Sequence, residues 1–147
     1  MTDTLYNALI VEHDREPRNE GPLPGATHSA TIDNPMCGDI VTMRVIVDGQ
    51  RVVDGQRVID AKFEARGCAL CRAAASLLTL RVIGQTVDEV DAVIDTFEGF
   101  VMGSDADRRT AELGDLVAFR GVQSVRSRRT CAMLPFRALA KALLVER

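Results

Sequence analysis

Three stretches of this chain place a thiol where a backbone turn or a helix start would present it. The first is Asn34-Pro35-Met36-Cys37-Gly38-Asp39, in which Cys37 and the carboxylate of Asp39 lie two positions apart. Proline stiffens the turn before them, and the glycine between them permits close backbone approach. Residues at i and i+2 in a turning segment can face one metal ion. The second stretch is Gly67-Cys68, and the third is Arg129-Thr130-Cys131. Cys68 and Cys131 are both expected at the N-terminal end of a helix, where the dipole and free backbone N–H groups favour thiolate. Thiolate is the form that binds a metal or attacks sulfur. If the fold gathers these places, Cys37, Asp39, Cys68 and Cys131 give three thiolates and one carboxylate. Zinc accepts such a tetrahedral set. An iron–sulfur cluster also takes thiolates, and spacing leaves both open.

The remaining candidates read differently. Cys68-x-x-Cys71 has metal and redox spacing, yet Cys71 falls in the first turn of an Ala-rich helix and reads as a core thiol. His13 and His28 lie in or beside loop segments with no second His or Cys close in sequence, and both are expected at the surface.

Two structural halves must position these groups. A short helix is expected over 5–13 with Thr4 as its cap, followed by a polar loop over 14–27 holding three of the chain's prolines. Strands are expected over 28–33, 40–47 and 58–65. Val41, Met43, Val45 and Val47 form one buried face of the second; Ile59, Ala61, Phe63 and Ala65 form that of the third. Between them VDGQRV occurs twice in tandem, at 47–52 and 53–58. Its six-residue period keeps later side chains on their original faces.

Helices follow over 69–83 and 87–102, the latter opened by a Thr86-x-x-Glu89 capping box and striped by Val90, Val93, Ile94, Phe97 and Val101. A short helix is expected over 112–119 and an exposed connection over 121–130. A last helix runs over 132–144 with Pro135 in its first turn. Strands first and helices after make an α+β domain: a small antiparallel three-stranded sheet over 28–65, with mainly helical residues 69–147 packed on one face.

Composition narrows the function. At 147 residues the chain reads as a single domain with one core. With no Trp, one Tyr and five Phe, that core is expected to be aliphatic, and nucleic-acid binding by base stacking is disfavoured. No apolar run reaches the ~18 residues of a membrane span, and 1–5 carries no basic n-region or apolar h-region of a signal peptide. A cytoplasmic location follows, in which four cysteines read as metal-binding or catalytic before disulfide-forming. Net charge is −3, divided into an acidic segment 84–119 at −7 and a basic segment 120–147 at +6. Such asymmetry can steer a charged partner.

The sequence resembles the IscU/NifU N-terminal family of iron–sulfur cluster assembly proteins, and its SufU branch in particular. The matching pieces are YNALIVEHDREPRN at 6–19, NPMCGD at 34–39, FEARGCALCRAAAS at 63–76, LGDLVAFRGV at 113–122 and RRTCAMLPFRALAKAL at 128–143. Scaffold members carry His immediately before the third cysteine, where this chain has Thr130. The SufU branch also has an insertion between the second and third cysteines, into which LGDLVAFRGV fits. Two features depart from the family pattern: Cys71, and Ser124-Val125-Arg126 in place of a proline-containing approach to Cys131.

The resemblance implies zinc held by Cys37, Asp39, Cys68 and Cys131. It implies that Cys37 accepts persulfide sulfur from a SufS-type cysteine desulfurase, on its way to a downstream cluster-assembly scaffold. Arg126, Arg128 and Arg129, the bases nearest Cys131 in sequence, are the candidate docking residues for that partner. The alternative is a scaffold that builds a [2Fe–2S] cluster, or holds iron, on the same residues. A closed structural zinc domain is the third reading.

Overall fold

The computed structural model describes residues 5–36, 38–48, 56–103 and 110–144. Helix α1 (Ala8–Arg15) precedes a three-stranded antiparallel sheet of β1 (His28–Asn34), β2 (Asp39–Val47) and β3 (Val58–Arg66), in that spatial order. Helices α2 (Ala69–Val82), α3 (Val87–Val101) and α4 (Arg126–Leu144) follow, and the described residues between α3 and α4 include the 3-10 segments Thr110–Glu112 and Gly114–Ser124. This is the expected α+β architecture.

Period-two alternation builds the sheet's inner face. Val41, Met43, Val45 and Val47 of β2 are buried, and α4 lies across β1 and β2 while α2 covers β3. Asp39 has the same parity as these valines, so the strand that buries them also turns a carboxylate inward. β3 departs from the expected face. The register slips between Ile46 and Val47, leaving an extra residue on β3. Such a bulge reverses the alternation beyond it. Val58 is therefore buried and Ile59 is 54% exposed, where Ile59 was expected inside. The tandem VDGQRV hairpin falls mainly at 49–55, outside the described residues.

The loop after α1 covers the free edge of β3: Gly21 N–H donates to the Phe63 carbonyl and Phe63 N–H to that of Asn19. An edge so paired cannot recruit another strand.

Helix α2 is the central element, buried along most of its length. Its alanines allow neighbours to approach closely. Helix α3 begins with the expected capping box, formed in both directions by Thr86 and Glu89. Its Phe97 stacks on Phe136 at 4.0 Å between centroids and meets Phe119 edge-on at 5.8 Å. Phe63, Phe97, Phe100, Phe119 and Phe136 are all fully buried. The core is thus aliphatic around an aromatic node, which composition alone did not separate from an aliphatic core.

Three boundaries shift. The N-cap of α1 is Asn7, whose side chain accepts from Ile10 N–H and donates to the Ala118 carbonyl; Thr4 lies outside the described residues. Residues 121–130 are not an exposed connection: Gly121 and Val122 are buried in the 3-10 segment, and extended Val125 is the short break before α4. Helix α4 then starts at Arg126, so Pro135 lies in its interior rather than its first turn. Pro135 has no N–H for the α-helical bond to the Cys131 carbonyl, a cost of roughly 3 kcal/mol in an isolated helix. Packing outweighs it: Cys131, Ala132, Met133, Leu134 and Phe136 are all buried against the rest of the fold.

Candidate metal centre

The site forms where the β1–β2 turn, the end of β3 and the side of α4 meet. Asn34 and Asp39 are paired across the first two strands. The turn between them closes by a Gly38 N–H bond to the Asn34 carbonyl at 2.8 Å and a Met36 N–H bond to Asn34 Oδ1 at 3.1 Å. Asn34 thus accepts twice, and Gly38 takes φ +77, a value glycine adopts without strain. Met36 is 92% exposed. Cys37 itself lies outside the described residues.

Asp39 is buried. Its Oδ1 accepts from Cys68 N–H at 3.0 Å, and its Oδ2 lies 3.5 Å from the Cys68 thiol as acceptor. Cys68 is the N-cap of α2, with extended φ −76 and ψ 164. Asp39 therefore sits over the first turn of α2, where the helix dipole favours negative charge. Gly67 makes room for it. A Cβ at position 67 would come 2.1 Å from Asp39 Oδ1 and 2.5 Å from its Cγ, and the φ of +148 already disfavours an L side chain. The sequence marked Gly67-Cys68 as a place that presents a thiol; that the glycine also admits Asp39 depends on a residue 28 positions away.

Cys131 completes the described cluster. It was expected at a helix start, but it is the sixth residue of α4 and buried. The carboxylate oxygen of Asp39 and the sulfurs of Cys68 and Cys131 all lie within 4.8 Å of one another. Zinc–sulfur bonds of about 2.3 Å in a tetrahedron place sulfurs about 3.8 Å apart. The three groups therefore reach zinc-binding separation with shifts of about 1 Å. Two thiols and a carboxylate suit a borderline-soft divalent ion, and the gap that only glycine leaves beside Asp39 keeps the carboxylate aimed at the thiols. The donor set fits zinc.

Cys71 is the third residue of α2, fully buried within the apolar core, and is not one of the grouped ligand atoms. That agrees with its reading as a core thiol.

The three arginines differ among themselves. Arg126 is exposed. Arg128 bonds the Cys131 sulfur; this contact, with the negative charge that Tyr6, Cys131 and Cys68 can carry, holds its guanidinium above its ordinary value. Arg129 turns back to donate to the Gln123 carbonyl, tying the start of α4 to the 3-10 segment.

His13 corrects another expectation. It is buried, not superficial: its Nδ1 lies 2.6 Å from Ser76 Oγ, which also accepts from Arg18 N–H at 2.9 Å. Burial first, and then the Arg18 guanidinium beside the ring, push its pKa below the ordinary value. This network pins the 16–19 segment to α2 and belongs to the scaffold. The missed signal was a pairing of His13 with Ser76 across 63 positions, which no local pattern carries. His28 is half-buried in β1 beside Thr27 Oγ1.

Residues 5–132 match the model of the NifU-like N-terminal domain. A zinc-dependent sulfurtransferase SufU of Bacillus subtilis is 34% identical over 146 residues, covering 98% of this chain and 92% of that protein. An iron–sulfur cluster assembly scaffold protein IscU of Streptococcus pyogenes is 30% identical, covering 95% of this chain and 82% of the relative. Among solved structures, an iron–sulfur cluster assembly scaffold protein for the SUF system from Fervidobacterium islandicum superposes with a TM-score of 0.85 at 26% identity, covering 97% and 99% of the two chains. A NifU-like N-terminal protein from Brucella abortus gives 0.81 at 28% identity, covering 95% and 92%. None of the described helices is long and apolar enough to cross a membrane.

Proposed function

The chain belongs to the NifU-like N-terminal domain family, and from that premise we propose that it is a zinc-binding sulfur acceptor of iron–sulfur cluster assembly. Its IscU relative is an iron–sulfur cluster assembly scaffold protein, and its SufU relative is a zinc-dependent sulfurtransferase. The observation that carries the finer reading is the convergence of Asp39, Cys68 and Cys131 beside the turn that contains Cys37. In this reading Cys37, Asp39, Cys68 and Cys131 hold one zinc ion per chain. Zinc bound to such a set keeps its thiols deprotonated at neutral pH.

The chain's own residues do the rest. In sequence Cys37 directly follows Pro35 and Met36, both of which are exposed. It is the acceptor: its thiolate attacks the outer sulfur of a desulfurase persulfide, the S–S bond breaks, and the desulfurase thiolate leaves. Cys37 then carries the persulfide, and no external oxidant or reductant is needed. Cys68, the N-cap of α2, and Cys131, within the packed α4, stay in place. Asp39, a harder and weaker donor than thiolate, is the arm that yields. Arg128 supplies positive charge against the Cys131 sulfur.

The partner in this reading is a SufS-type cysteine desulfurase, docking on the exposed turn with Arg126 at its rim. A downstream cluster-assembly scaffold receives the sulfur in the cytoplasm. The second reading, a scaffold for a [2Fe–2S] cluster, is favoured by the IscU-named relatives and weakened by Thr130 at the position where scaffold members carry His.

The test incubates the protein with a SufS-type desulfurase and labelled cysteine and maps the label by mass spectrometry. Label on Cys37, with one zinc per chain by elemental analysis, is expected. Label on Cys131 and none on Cys37 moves the acceptor role and favours the scaffold. No label on any cysteine removes sulfur acceptance.

A further inference from the structure

We propose that Cys68 and Cys71 form a redox-active dithiol, which a small-molecule disulfide converts to an intramolecular bond that takes Cys68 out of the metal centre. The loss of metal rests on the reading above; the pairing of the thiols does not.

The geometry comes from one helix end. Cys68 is the N-cap of α2 and Cys71 is its third residue. With the rise and radius of an α-helix, Cα atoms three positions apart are about 5 Å from each other. Disulfides span Cα separations of about 4.4–6.8 Å. An N-cap side chain folds back over the first turn toward that third residue, as in a capping box. Cys68 makes no side-chain cap bond there, so its sulfur is not held by the helix backbone. The bond would close a ring with only Ala69 and Leu70 between its ends, which asks little of chain entropy. Cys131 is the poorer partner for Cys68. Its sulfur lies within 4.8 Å of that of Cys68, but it is carried by a different helix, so a bond to it has to draw α4 and the start of α2 together, and Arg128 engages its sulfur.

Exposure sets the order of events. Cys68 is half-buried and Cys71 is fully buried, so a solute meets Cys68 first. The Cys68 thiolate attacks one sulfur of the small disulfide, and one small thiolate leaves. The Cys71 thiolate then attacks the Cys68 sulfur of the mixed disulfide, and the second small thiolate leaves. Two protein thiols are oxidised, one small disulfide is reduced to two thiols, and both protons go to the leaving thiolates. The product has one sulfur donor fewer for the metal. A dithiol reductant reverses the step.

The experiment uses the full chain, metal-free and zinc-loaded, with oxidised glutathione as the probe. Trypsin cleavage after Arg66 and Arg72 releases residues 67–72, which hold both cysteines and no other. Under non-reducing conditions this peptide should appear lighter by two hydrogens and without glutathione. Zinc-loaded protein should lose its zinc in step with that peptide and rebind it after reduction. In Cys71→Ala the peptide should instead keep a glutathione adduct on Cys68. A Cys68–Cys131 or Cys37–Cys68 bond in the unmodified sequence overturns the proposal, as does a lasting glutathione adduct on its Cys68. Mapping the unmodified sequence decides the matter even if Cys71→Ala fails to fold. Protein that never binds zinc but forms the Cys68–Cys71 bond supports the dithiol and sinks the zinc reading alone.

Discussion

Gly67→Ala should disable the metal centre without touching a ligand. Two costs combine. At φ +148 an alanine is strained, and sparsely populated backbone of this kind costs about 1–3 kcal/mol. The added Cβ would lie 2.1 Å from Asp39 Oδ1 and 2.5 Å from its Cγ, so the carboxylate must swing away. Its bond to Cys68 N–H, 3.0 Å in the native chain, is then lost, and bonds to charged groups contribute about 1.5–3 kcal/mol. The expected destabilisation of metal-free protein is about 3–5 kcal/mol by urea unfolding. Zinc affinity should fall with it, because the displaced carboxylate supplies one of the three grouped ligand atoms. A double-mutant cycle isolates the cause. In an Asp39→Ala background the clashing oxygen and Cγ are gone and the Cys68 bond is already absent. There Gly67→Ala should cost only its backbone strain and any residual contact with the Cβ at position 39, about 2 kcal/mol less than in the native background. Equal cost in both backgrounds would refute the claim that Gly67 exists to admit Asp39.

Three further outcomes follow from the geometry. Cys37→Ser should abolish stimulation of a cysteine desulfurase and weaken zinc binding, while the circular dichroism spectrum stays native. Arg126→Glu, at an exposed position, should weaken desulfurase docking in a salt-dependent way and leave zinc content unchanged; Arg128→Glu should lower zinc content too, because Arg128 bonds the Cys131 sulfur. His13 has a folded-state pKa below its ordinary value, from burial and Arg18, partly opposed by Glu12 and Asp115. Below the unfolded value of about 6.5 the unfolded chain therefore binds more protons than the folded one. Its stabilising contribution is complete above that pH and fades as pH falls toward the folded value. Urea unfolding at pH 7 and pH 5 should show a larger loss for the native chain than for His13→Gln, and equal losses would remove His13 from the account.

Much of the site was legible because its signals are local. Asn34-Pro35 and Gly38 specify a turn from their own backbone preferences, and the turn formed with Asn34 accepting twice. Thr86 and Glu89 cap α3 as their spacing requires. Strand alternation put Val41, Met43 and Val45 inside, and Asp39 shares their parity. What failed depended on contacts between distant segments. The start of α4 was placed at 132 because an interior Pro135 is costly in isolation. Only the burial of residues 131–136 under the sheet and α2 outweighs that cost. The inward Ile59 was lost to a bulge fixed by how β3 pairs with β2. His13 left the surface because Ser76 waits on α2.

The sequence by itself determined the donor types, the turns that hold them and the order of strands and helices, since each rests on neighbours along the chain. The tertiary structure alone decided that Asp39, Cys68 and Cys131 come within 4.8 Å and that Gly67 must lack a side chain for Asp39 to fit. It also decided that Arg128 faces the Cys131 sulfur. Those facts belong to the packing of one sheet end against two helices, and such packing is set by burial across tens of residues rather than by any local preference.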